Sequence, residues 1–412
     1  LILELNEFNH KILKDYSKRY NYEHIKKILN YNHTKTYTND TYKGNNNQDG
    51  FLDPWSQWVS VHTLKPSKKH KIKNLGDVPK LKLKQFWEIK KKINFYIWGP
   101  MNASRKNSSN VKLFFPDPWV FSEKAYPNNL NKILNPIKRT IKNRGSDDFL
   151  KKIRIFFTIV SVIKKYTGLY TIIKSIITSL ADYTKHKKNY VFFCHWEYLC
   201  FKVLFKIIKN KKNFISIYFV NSLAHVQHHY WENNKYNKEI KYCLTYVDKM
   251  IKDIYENKNY KVILINGLSQ KNSEKEKLCL YEQIDHNKFL NKLEINFVKI
   301  EKLMTNDAYI FFKNKNDILQ CEKILNSIKF KNKKIFHVEI VDHNKIFYKT
   351  NFIKKVSPND VIILRDKKVK FLDYFNFITI RRGIHSQNGD ILSEKKLFPK
   401  KIENHKILKY IR

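Results

Sequence analysis

Acidic residues, glycine, proline and methionine are all scarce in this sequence of 412 residues. Only 37 aspartate and glutamate residues stand against 80 lysine and arginine residues, which leaves a formal charge of +43. A charge of this size favours nucleic acid, acidic glycans or an anionic membrane as partners. The lysines are spread along nearly the whole chain, however, and only a clustered set would form a groove for a polyanion. We therefore interpret the charge as compositional bias that favours anionic substrates, and we do not expect nucleic acid as a partner.

Cysteine is also rare, with scattered positions and no CxxC pair: Cys194, Cys200, Cys243, Cys279 and Cys321. This pattern argues against a disulfide framework and against a structural zinc knuckle. It predicts a reducing compartment, and we expect a cytoplasmic protein. The chain begins at Leu1 without Met, which indicates a truncated N-terminus, and its first residues predict a buried strand and not a signal peptide.

Long uncharged apolar runs are missing as well. The most apolar stretch, Ile153 to Leu180, is interrupted by Lys164, Lys165 and Lys174, so it offers no uncharged run of about 18 residues that could span a bilayer. We predict no transmembrane segment and interpret this stretch as an amphipathic helical pair that packs on the domain, with contact to a membrane surface as the less favoured alternative. Internal repeats and heptads are not evident either, which argues against solenoid and coiled-coil folds.

The chain is nevertheless rich in core-forming residues, with 42% hydrophobic and 15% aromatic residues, as in folded globular proteins. Strand-like and helical patterns alternate over residues 1–115 and again over residues 191–412, whereas residues 116–190 are helical and rich in lysine. This alternation predicts an α/β fold, with a mostly parallel sheet sandwiched by helices and a helical insertion or cap. Beyond residue 190 the predicted strands are Val191–Cys194, Ser216–Val220, Val262–Ile265, Ala308–Phe312, Ile335–Ile340 and Val361–Leu364.

Polar side chains follow the predicted strands at the points where these strands end. They are Glu4 and Asn6, Asn102, Asn221 and His225, Asn266, and Asp342 with His343. In an open parallel sheet, ligands bind outside the carboxyl ends of the strands. Acid, amide and imidazole groups at several strand ends therefore predict one shared site at that edge of the sheet.

Four segments, taken in order along the chain, carry a family resemblance. They are ILELNEF at Ile2–Phe8, DPWSQWVSVHTLKPSKKHKI at Asp53–Ile72, FVNSLAHVQHHYW at Phe219–Trp231 and RRGIHSQNGDIL at Arg381–Leu392. Together they resemble the alkaline phosphatase superfamily of metal-dependent ester hydrolases, and in particular its type I phosphodiesterases and nucleotide pyrophosphatases. The resemblance covers the two flanking regions and leaves out the helical block.

The second segment resembles the family's nucleophile helix and the turn that follows it. Asp53 can cap this helix, and Pro54 suits its first turn. The residues that match the family's turn are Thr63, Pro66, His70 and Ile72, with Leu64 and Lys71 where glycines are usual. The family's Ser or Thr nucleophile aligns to Asp53 or Pro54, and Ser56 is the nearest hydroxyl. The resemblance therefore implies Asp53 and Ser56 as catalytic candidates, with Asp53 as a helix cap alone as the equal alternative.

The resemblance also implies a metal site. Glu4 takes the part of the acidic ligand at the end of the first strand, and His225 and His385 match two imidazole ligands. Asn221 and Asn266 stand where the family has carboxylate ligands. The remaining strand-end amides, Asn6 and Asn102, are further site candidates. The neighbours of His225 in its histidine-rich run, His228 and His229, are interpreted as structural or exposed.

The family uses a pair of divalent cations, usually zinc, to activate the nucleophile and to screen the transferred group. Amide oxygens bind zinc poorly and suit harder cations such as magnesium, manganese or calcium. We therefore expect a divalent cation, zinc by resemblance or a harder ion by the amides, but no tightly bound zinc pair.

Three functions are open at this point. The leading hypothesis is a metal-dependent, phosphodiesterase-like hydrolase that acts on a phosphate or sulfate ester, with an anionic small molecule or glycan as substrate. The second is a catalytically degenerate relative that binds an anionic ligand in the former active-site cleft. The third is a polyanion-binding protein driven by its lysines, which we rank last because no nucleic-acid-binding module is visible.

Overall fold

The computed structural model describes residues 1–41, 51–142, 149–232, 236–257, 260–273, 278–303 and 306–411. The chain divides into two compact units. The first unit consists of residues 1–272 and 383–412, and the second consists of residues 273–382. The second unit lies within the predicted second part of the core, residues 191–412, and no sequence pattern had marked it as a separate body.

The first unit begins with alternating strands and helices. Its strands up to residue 272 are β1 (Ile2–Leu5), β2 (Asn32–Tyr37), β3 (Asn94–Trp98), β4 (Val111–Phe115), β5 (Phe214–Val220), β6 (Ile263–Ile265) and β7 (Ser269–Asn272). Its α-helices are α1 (His10–Tyr20), α2 (Glu23–Leu29), α3 (Pro54–Thr63), α4 (Ser67–His70), α5 (Phe86–Ile89), α6 (Asn131–Lys142), α7 (Phe149–Thr167), α8 (Leu169–His186), α9 (Tyr190–Ile208), α10 (Ser222–Tyr230) and α11 (Lys238–Glu256).

The second unit is built mainly from antiparallel strands. Its elements are β8 (Leu278–Gln283), α12 (His286–Lys292), β9 (Lys299–Lys302), β10 (Asp307–Phe311), α13 (Lys315–Ser327), β11 (Lys329–Phe330), β12 (Lys333–Lys334), β13 (Phe336–Asp342), β14 (Lys345–Thr350), β15 (Val361–Leu364), β16 (Lys367–Lys370) and β17 (Phe375–Arg381). The chain then returns to the first unit with β18 (Gly383–Ser386), β19 (Asn388–Ser393), β20 (Lys401–Glu403) and a 3₁₀ helix at Asn404–Tyr410.

An eight-stranded sheet organises the first unit, with the strand order β20-β2-β19-β6-β1-β5-β3-β4. The pairs β1–β5, β1–β6, β3–β5, β3–β4 and β2–β20 are parallel. In this sheet β19 is the strand that runs antiparallel to its neighbours, β2 and β6. The predicted α/β fold with a mostly parallel sheet between helices is confirmed.

Strand β1 lies at the centre of this sheet because its residues can be buried on both faces. All four residues from Ile2 to Leu5 are buried. Leu3 and Leu5 join a hydrophobic core with α1, α2, α9 and α11, and Ile2 joins a second core with Trp58 of α3. A strand covered by helices on both faces needs this near-continuous apolar run. The carboxyl end of β1, where the chain leaves the sheet, is consequently the centre of the sheet edge at which a ligand can bind.

The helical block contains α6, α7 and α8, and α7 and α8 are the predicted helical pair. The strand predicted at Val191–Cys194 was wrong, because these residues form the first turn of α9. A short apolar run fits a buried strand and a buried helix equally well. Here the buried positions continue at helical spacing, from Val191 and Cys194 to Phe201 and Leu204, and the longer helix prevails.

Three predicted strands exist but belong to the second unit. Strand β10, predicted at Ala308–Phe312, and strand β13, predicted at Ile335–Ile340, lie in a four-stranded antiparallel sheet with β9 and β14. Strand β15 forms a two-stranded hairpin with β16. Strand propensity identified these segments, but propensity does not specify which sheet a strand joins.

Two further sequence-based expectations concern membranes and thiols. Among the described residues, helices that combine the length and the apolar character needed to cross a bilayer are not found. The five cysteines are all free thiols and are buried.

Candidate active site

The turn after β1 carries a buried carboxylate, that of Glu7. This residue is 2% exposed and adopts φ +53°, in the left-handed region that residues other than glycine and asparagine rarely occupy. Gln270 Nε2 donates to Glu7 Oε2 over 2.6 Å, and Asn6 Nδ2 donates to Oε1 over 3.1 Å. Gln227 Nε2 donates to the Glu7 backbone carbonyl over 2.8 Å. Residues from β7 and α10 therefore hold both the backbone and the carboxylate of Glu7 in place.

Two histidines converge on the same oxygen of this carboxylate. His228 Nε2, from α10, lies 3.0 Å from Glu7 Oε2, and His385 Nε2, from β18, lies 3.3 Å from it. The ligand atoms of Glu7, His228 and His385 all lie within 4.8 Å of one another. In the described part of the chain, this is the group of three acidic, imidazole or thiol side chains that could hold a metal ion.

The outer nitrogens of the two imidazoles face acceptors. His228 Nδ1 lies 2.7 Å from the Gly383 carbonyl oxygen, and because a carbonyl can only accept, this nitrogen carries a proton. His385 Nδ1 lies 3.4 Å from Asp53 Oδ1, a carboxylate oxygen. In a neutral imidazole whose Nδ1 is protonated, Nε2 presents a lone pair. That lone pair would point at the Glu7 carboxylate. Each imidazole therefore needs either a second proton on its ring or a cation between the ring and the carboxylate.

The two histidines change the pKa of the Glu7 carboxyl. Burial alone would raise the pKa of the Glu7 carboxyl, but His385 and His228 oppose it and hold the pKa well below its ordinary value. The carboxylate is therefore ionised in the folded protein, and its negative charge is compensated by its imidazole neighbours.

Asp53 lies at the beginning of α3, directly before Pro54. Its carboxylate does not cap the helix and instead lies 3.4 Å from His385 Nδ1. Helix α3 therefore contributes its N-terminus, with the positive end of its dipole, next to this part of the site.

Two of the predicted amides lie beside Glu7. Asn6 Nδ2 donates to Asn221 Oδ1 over 2.8 Å as well as to Glu7, and Trp58 Nε1 donates to Asn6 Oδ1 over 2.8 Å. Asn6 and Asn221 thus form a short amide chain along one side of the carboxylate. The structure brings Asn6, Asn221, His385 and Asp53 together around Glu7.

Other predicted residues have partners elsewhere. Glu4 is fully buried, and its Oε1 lies 2.9 Å from His62 Nε2 of α3. Ser56 is also fully buried, and its hydroxyl donates to the Ile72 carbonyl. In the described residues, neither side chain takes part in the cluster around Glu7.

The two remaining amides hold backbone segments together. Asn266 Nδ2 donates to the Phe8 carbonyl over 2.8 Å, and its Oδ1 accepts from the backbone N–H of Asp390 over 2.6 Å. Asn102, at φ +51°, donates to the carbonyls of Trp55 and Asn74, both over 3.0 Å. Both side chains donate to backbone carbonyls and accept from backbone N–H groups, so they hold neighbouring backbone segments together.

His225 precedes His228 by three residues on α10 and is not part of the cluster of Glu7, His228 and His385. It is exposed, and its ring stacks on Phe193 with the centroids 5.9 Å apart and the planes 2° apart. Together with His229 and Lys188 it lines a cavity of about 470 Å³. The pair Asp342 and His343, the other candidate for an acid–imidazole site, is exposed in the second unit, with Asp342 Oδ1 2.7 Å from His343 Nδ1.

Two positions where the family has glycine have the backbone conformation that glycine favours. Leu64, after α3, has φ +56°, and Lys71, after α4, has φ +58°. At both positions glycine would be the unstrained residue.

Glu7 and His228 were missed from the sequence. Glu7 stands two residues after the end of β1, beyond the predicted residues Glu4 and Asn6. His228 was interpreted as structural because it neighbours His225 and His229. The helical period does not separate His228 from the other two, since residues three and four apart share a face of a helix and His229 also follows a buried residue, Val226, by three.

Comparison with known proteins gives fold-level likenesses only. No family model matches the chain, and no curated protein matches it. Among solved structures, phosphonoacetate hydrolase from Sinorhizobium meliloti 1021 in complex with phosphonoformate is similar at a TM-score of 0.47 and 9% identity, covering 99% of this chain and 94% of that chain. Murine ectonucleotide pyrophosphatase/phosphodiesterase 5 is similar at a TM-score of 0.44 and 8% identity, covering 99% and 92%.

A third similar structure is a TAB5 alkaline phosphatase variant with magnesium bound, at a TM-score of 0.38 and 10% identity, covering 100% of this chain and 95% of that chain. These proteins are members of the alkaline phosphatase superfamily.

Proposed function

We propose that this chain holds one divalent cation between Glu7, His228 and His385 and hydrolyses a phosphate or sulfate ester beside it. The observation that supports the proposal is the orientation of the two imidazoles. Each directs Nε2 to the same oxygen of Glu7 while its Nδ1 faces an oxygen acceptor, Gly383 or Asp53. Metal-binding histidines are usually held in this way, with the second ring nitrogen on a carbonyl or a carboxylate.

The ligand set fits such a cation. Two imidazole nitrogens and one carboxylate oxygen form a known ligand set of catalytic zinc, and such a site keeps a position open for water or substrate. Imidazoles favour zinc over magnesium, calcium and manganese, which prefer oxygen ligands. A cation among these groups also removes the conflict between the Nε2 lone pairs and the Glu7 carboxylate.

The bound cation would supply Lewis-acid stabilisation for the charge on the transferred group. The protein's own residues supply orientation and proton transfer. Asp53 Oδ1 lies 3.4 Å from His385 Nδ1, and the Asp53 carboxylate, 15% exposed, is placed to accept a proton from an attacking water. The N-terminus of α3 favours an anionic group at the same place. The surplus of positive charge over the chain makes an anionic ester the favoured substrate.

A second candidate function is anion binding without hydrolysis. Its support comes from the hydroxyl and amide groups that replace the family's reactive groups. The Ser56 hydroxyl donates to the Ile72 carbonyl. The Asn266 side chain donates to one backbone carbonyl and accepts from one backbone N–H. If Asp53 activates no water, the remaining groups would still hold a cation and an anionic ligand.

A metal titration followed by ester assays separates these functions. Metal-depleted protein is titrated with Zn²⁺, Mn²⁺ and Mg²⁺ by calorimetry, and binding of one ion is expected. Glu7→Gln and His385→Asn should weaken that binding by about tenfold to a hundredfold or more. His229→Asn, on the same helix as His228 and outside the cluster, is the control and should bind as tightly as the unchanged chain.

The loaded protein is then assayed on a phosphodiester, a phosphomonoester and a sulfate ester, each with a p-nitrophenyl leaving group. Hydrolysis that disappears in Glu7→Gln and in Asp53→Asn supports the first function. Cation binding without hydrolysis of any ester supports the second. Absence of cation binding with every ion overturns the first function and the form of the second in which a bound cation helps to hold the anion.

A further inference from the structure

Helices α7 and α8 expose a row of large apolar side chains. On α7 these are Leu150, Ile153, Phe156 and Phe157, and on α8 they are Leu169, Tyr170, Ile173, Ile177 and Leu180. Successive members are adjacent or three to four residues apart, which places them along one face of each helix. Phe157 and Ile177 are 63% and 62% exposed. Apolar surface concentrated in this way marks an interaction site rather than scattered exposure.

The opposite faces of the same helices hold the hairpin in the first unit. Val162 and Ile163 of α7 and Ile172 of α8 are buried in its main core. The two helices also pack against each other and against α9. The hairpin is therefore anchored by one face, and its exposed apolar side chains are left for another partner.

The charge of this segment indicates what that partner is. From Phe149 to Tyr190 the sequence contains nine lysine or arginine residues and one acidic residue, Asp182. Asp182 is turned inward, where it accepts a hydrogen bond from the Tyr242 hydroxyl over 2.6 Å and lies 3.4 Å from His195 Nε2. The exposed side of the hairpin therefore carries positive charge without a compensating acidic group of its own.

A second copy of this chain is a poor partner for such a surface, because two hairpins of this charge repel each other. An anionic lipid surface satisfies both features. Helices with exposed Phe, Ile and Leu on one face and lysines beside them lie in the plane of a membrane interface. Each lysine near an anionic leaflet adds to the attraction. We propose that the α7–α8 hairpin docks the protein on the surface of an anionic membrane, without crossing it.

Co-sedimentation of the full chain with lipid vesicles tests this proposal. The vesicles are phosphatidylcholine alone or phosphatidylcholine with about 30% phosphatidylserine, a content that makes the surface clearly anionic. We expect binding to the anionic vesicles, weak binding to the neutral ones, and a decrease as salt is raised.

The double variant Phe157→Gln with Ile177→Gln should reduce the binding constant roughly tenfold or more, because two apolar side chains no longer enter the interface. The matched control is Ile363→Gln, a 57% exposed isoleucine of the second unit, which should leave binding unchanged. Circular dichroism of each variant checks that the fold is kept, as expected for exposed positions.

Three results would overturn the proposal. The first is failure of the unchanged chain to bind anionic vesicles. The second is equal binding by the double variant, since the attraction would then come from lysines spread over the whole surface. The third is a concentration-dependent dimer that the double variant abolishes, because the occupant of the apolar face would then be a second copy.

Discussion

Gly383 approaches Gln270 so closely that a Cβ on the glycine would lie 2.0 Å from Gln270 Oε1. The two residues belong to the antiparallel pair β18–β7, in which His385 is directly opposite Gln270. Gln270 is also the residue that donates to Glu7 Oε2. The absence of a side chain at Gly383 is thus a condition for the geometry of the proposed cation site.

Gly383→Ala should therefore damage the site without changing any of its ionisable groups. The added methyl would displace Gln270 and would also lie 2.9 Å from the carbonyl of Gln227, the other residue that holds Glu7. We expect the divalent affinity to fall about tenfold or more, as for the loss of a group that supports a metal ligand. Calorimetric titration measures it. Gly267→Ala is the control, because a Cβ there would meet its nearest neighbour at an ordinary 3.5 Å. Equal affinity in the two variants would show that Gln270 does not support the site.

Asn221→Asp should strengthen cation binding. Asn221 uses its Oδ1 to accept from Asn6, and an aspartate at this position can accept the same bond while adding a negative charge near Glu7. We expect roughly tenfold tighter divalent binding in calorimetry, together with lower stability of the metal-free protein because two carboxylates then lie close together.

Asn266→Asp serves as the contrast to that change. Its Nδ2 donates to the Phe8 carbonyl, and aspartate cannot replace this donor. We expect a loss of about 1–3 kcal/mol in the free energy of unfolding and no gain in affinity. Tighter binding in Asn266→Asp, with none in Asn221→Asp, would show that Asn266 and not Asn221 faces the cation.

Lys71→Gly should stabilise the fold. Lys71 is exposed and holds φ +58°, a conformation that costs an ordinary side chain about 1 kcal/mol relative to glycine. We expect urea unfolding to show a gain of about that size. Leu64→Gly should give a smaller gain, because Leu64 packs against the core around α3. Lys69→Gly, inside α4 with a helical backbone, should instead lose about 1 kcal/mol. A loss of stability in Lys71→Gly would mean that contacts of the Lys71 side chain offset the backbone strain.

His70 should make the fold sensitive to acid. Its Nδ1 accepts the backbone N–H of Ile72 over 3.0 Å, and its Nε2 lies 2.9 Å from the Ser60 hydroxyl, so the buried ring is neutral. Burial lowers the pKa of His70 from 6.5 to about 4. The unfolded chain therefore binds more protons than the folded protein between these pH values.

The stability that depends on the neutral ring of His70 is fully present above pH 6.5 and is lost progressively as the pH falls toward about 4. The total loss is of the order of 3 kcal/mol, since one pKa unit corresponds to about 1.4 kcal/mol. In His70→Asn the amide oxygen can accept the Ile72 N–H and cannot titrate, so this part of the pH dependence should disappear. The measurement is urea unfolding of both proteins across this pH range. Parallel curves for the two proteins would show that His70 does not cause the acid sensitivity.

Much of the fold could be predicted from the sequence, because it depends on local and periodic signals. The apolar run of β1 is typical of a strand buried on both faces, and Asp53 followed by Pro54 marks the beginning of α3 correctly. The periodic signal failed at Val191–Cys194, where a short apolar run was compatible with two structures and only the continuing helix decided between them. It also could not show that β10, β13 and β15 belong to another unit, since pairing partners are chosen by contacts distant in sequence.

The candidate site was predictable in part. The edge of the sheet and the residues Asp53, Asn6, Asn221 and His385 follow from strand ends and from the four segments that resemble the family. The carboxylate at the centre does not follow from them. Glu4 was preferred, but it lies within β1 and faces His62 of α3.

What the sequence by itself determined is therefore the class of fold, several of the polar residues near the carboxyl end of β1, and the surplus of positive charge. Only the tertiary structure decided that Glu7 is the carboxylate of the cluster. That choice depends on a left-handed backbone at Glu7 and on hydrogen bonds from Gln227 and Gln270, more than two hundred residues away. It also decided that the apolar hairpin α7–α8 buries one face and exposes the other. Which face of a helix is covered depends on the elements that pack against it, and those contacts are distant in sequence.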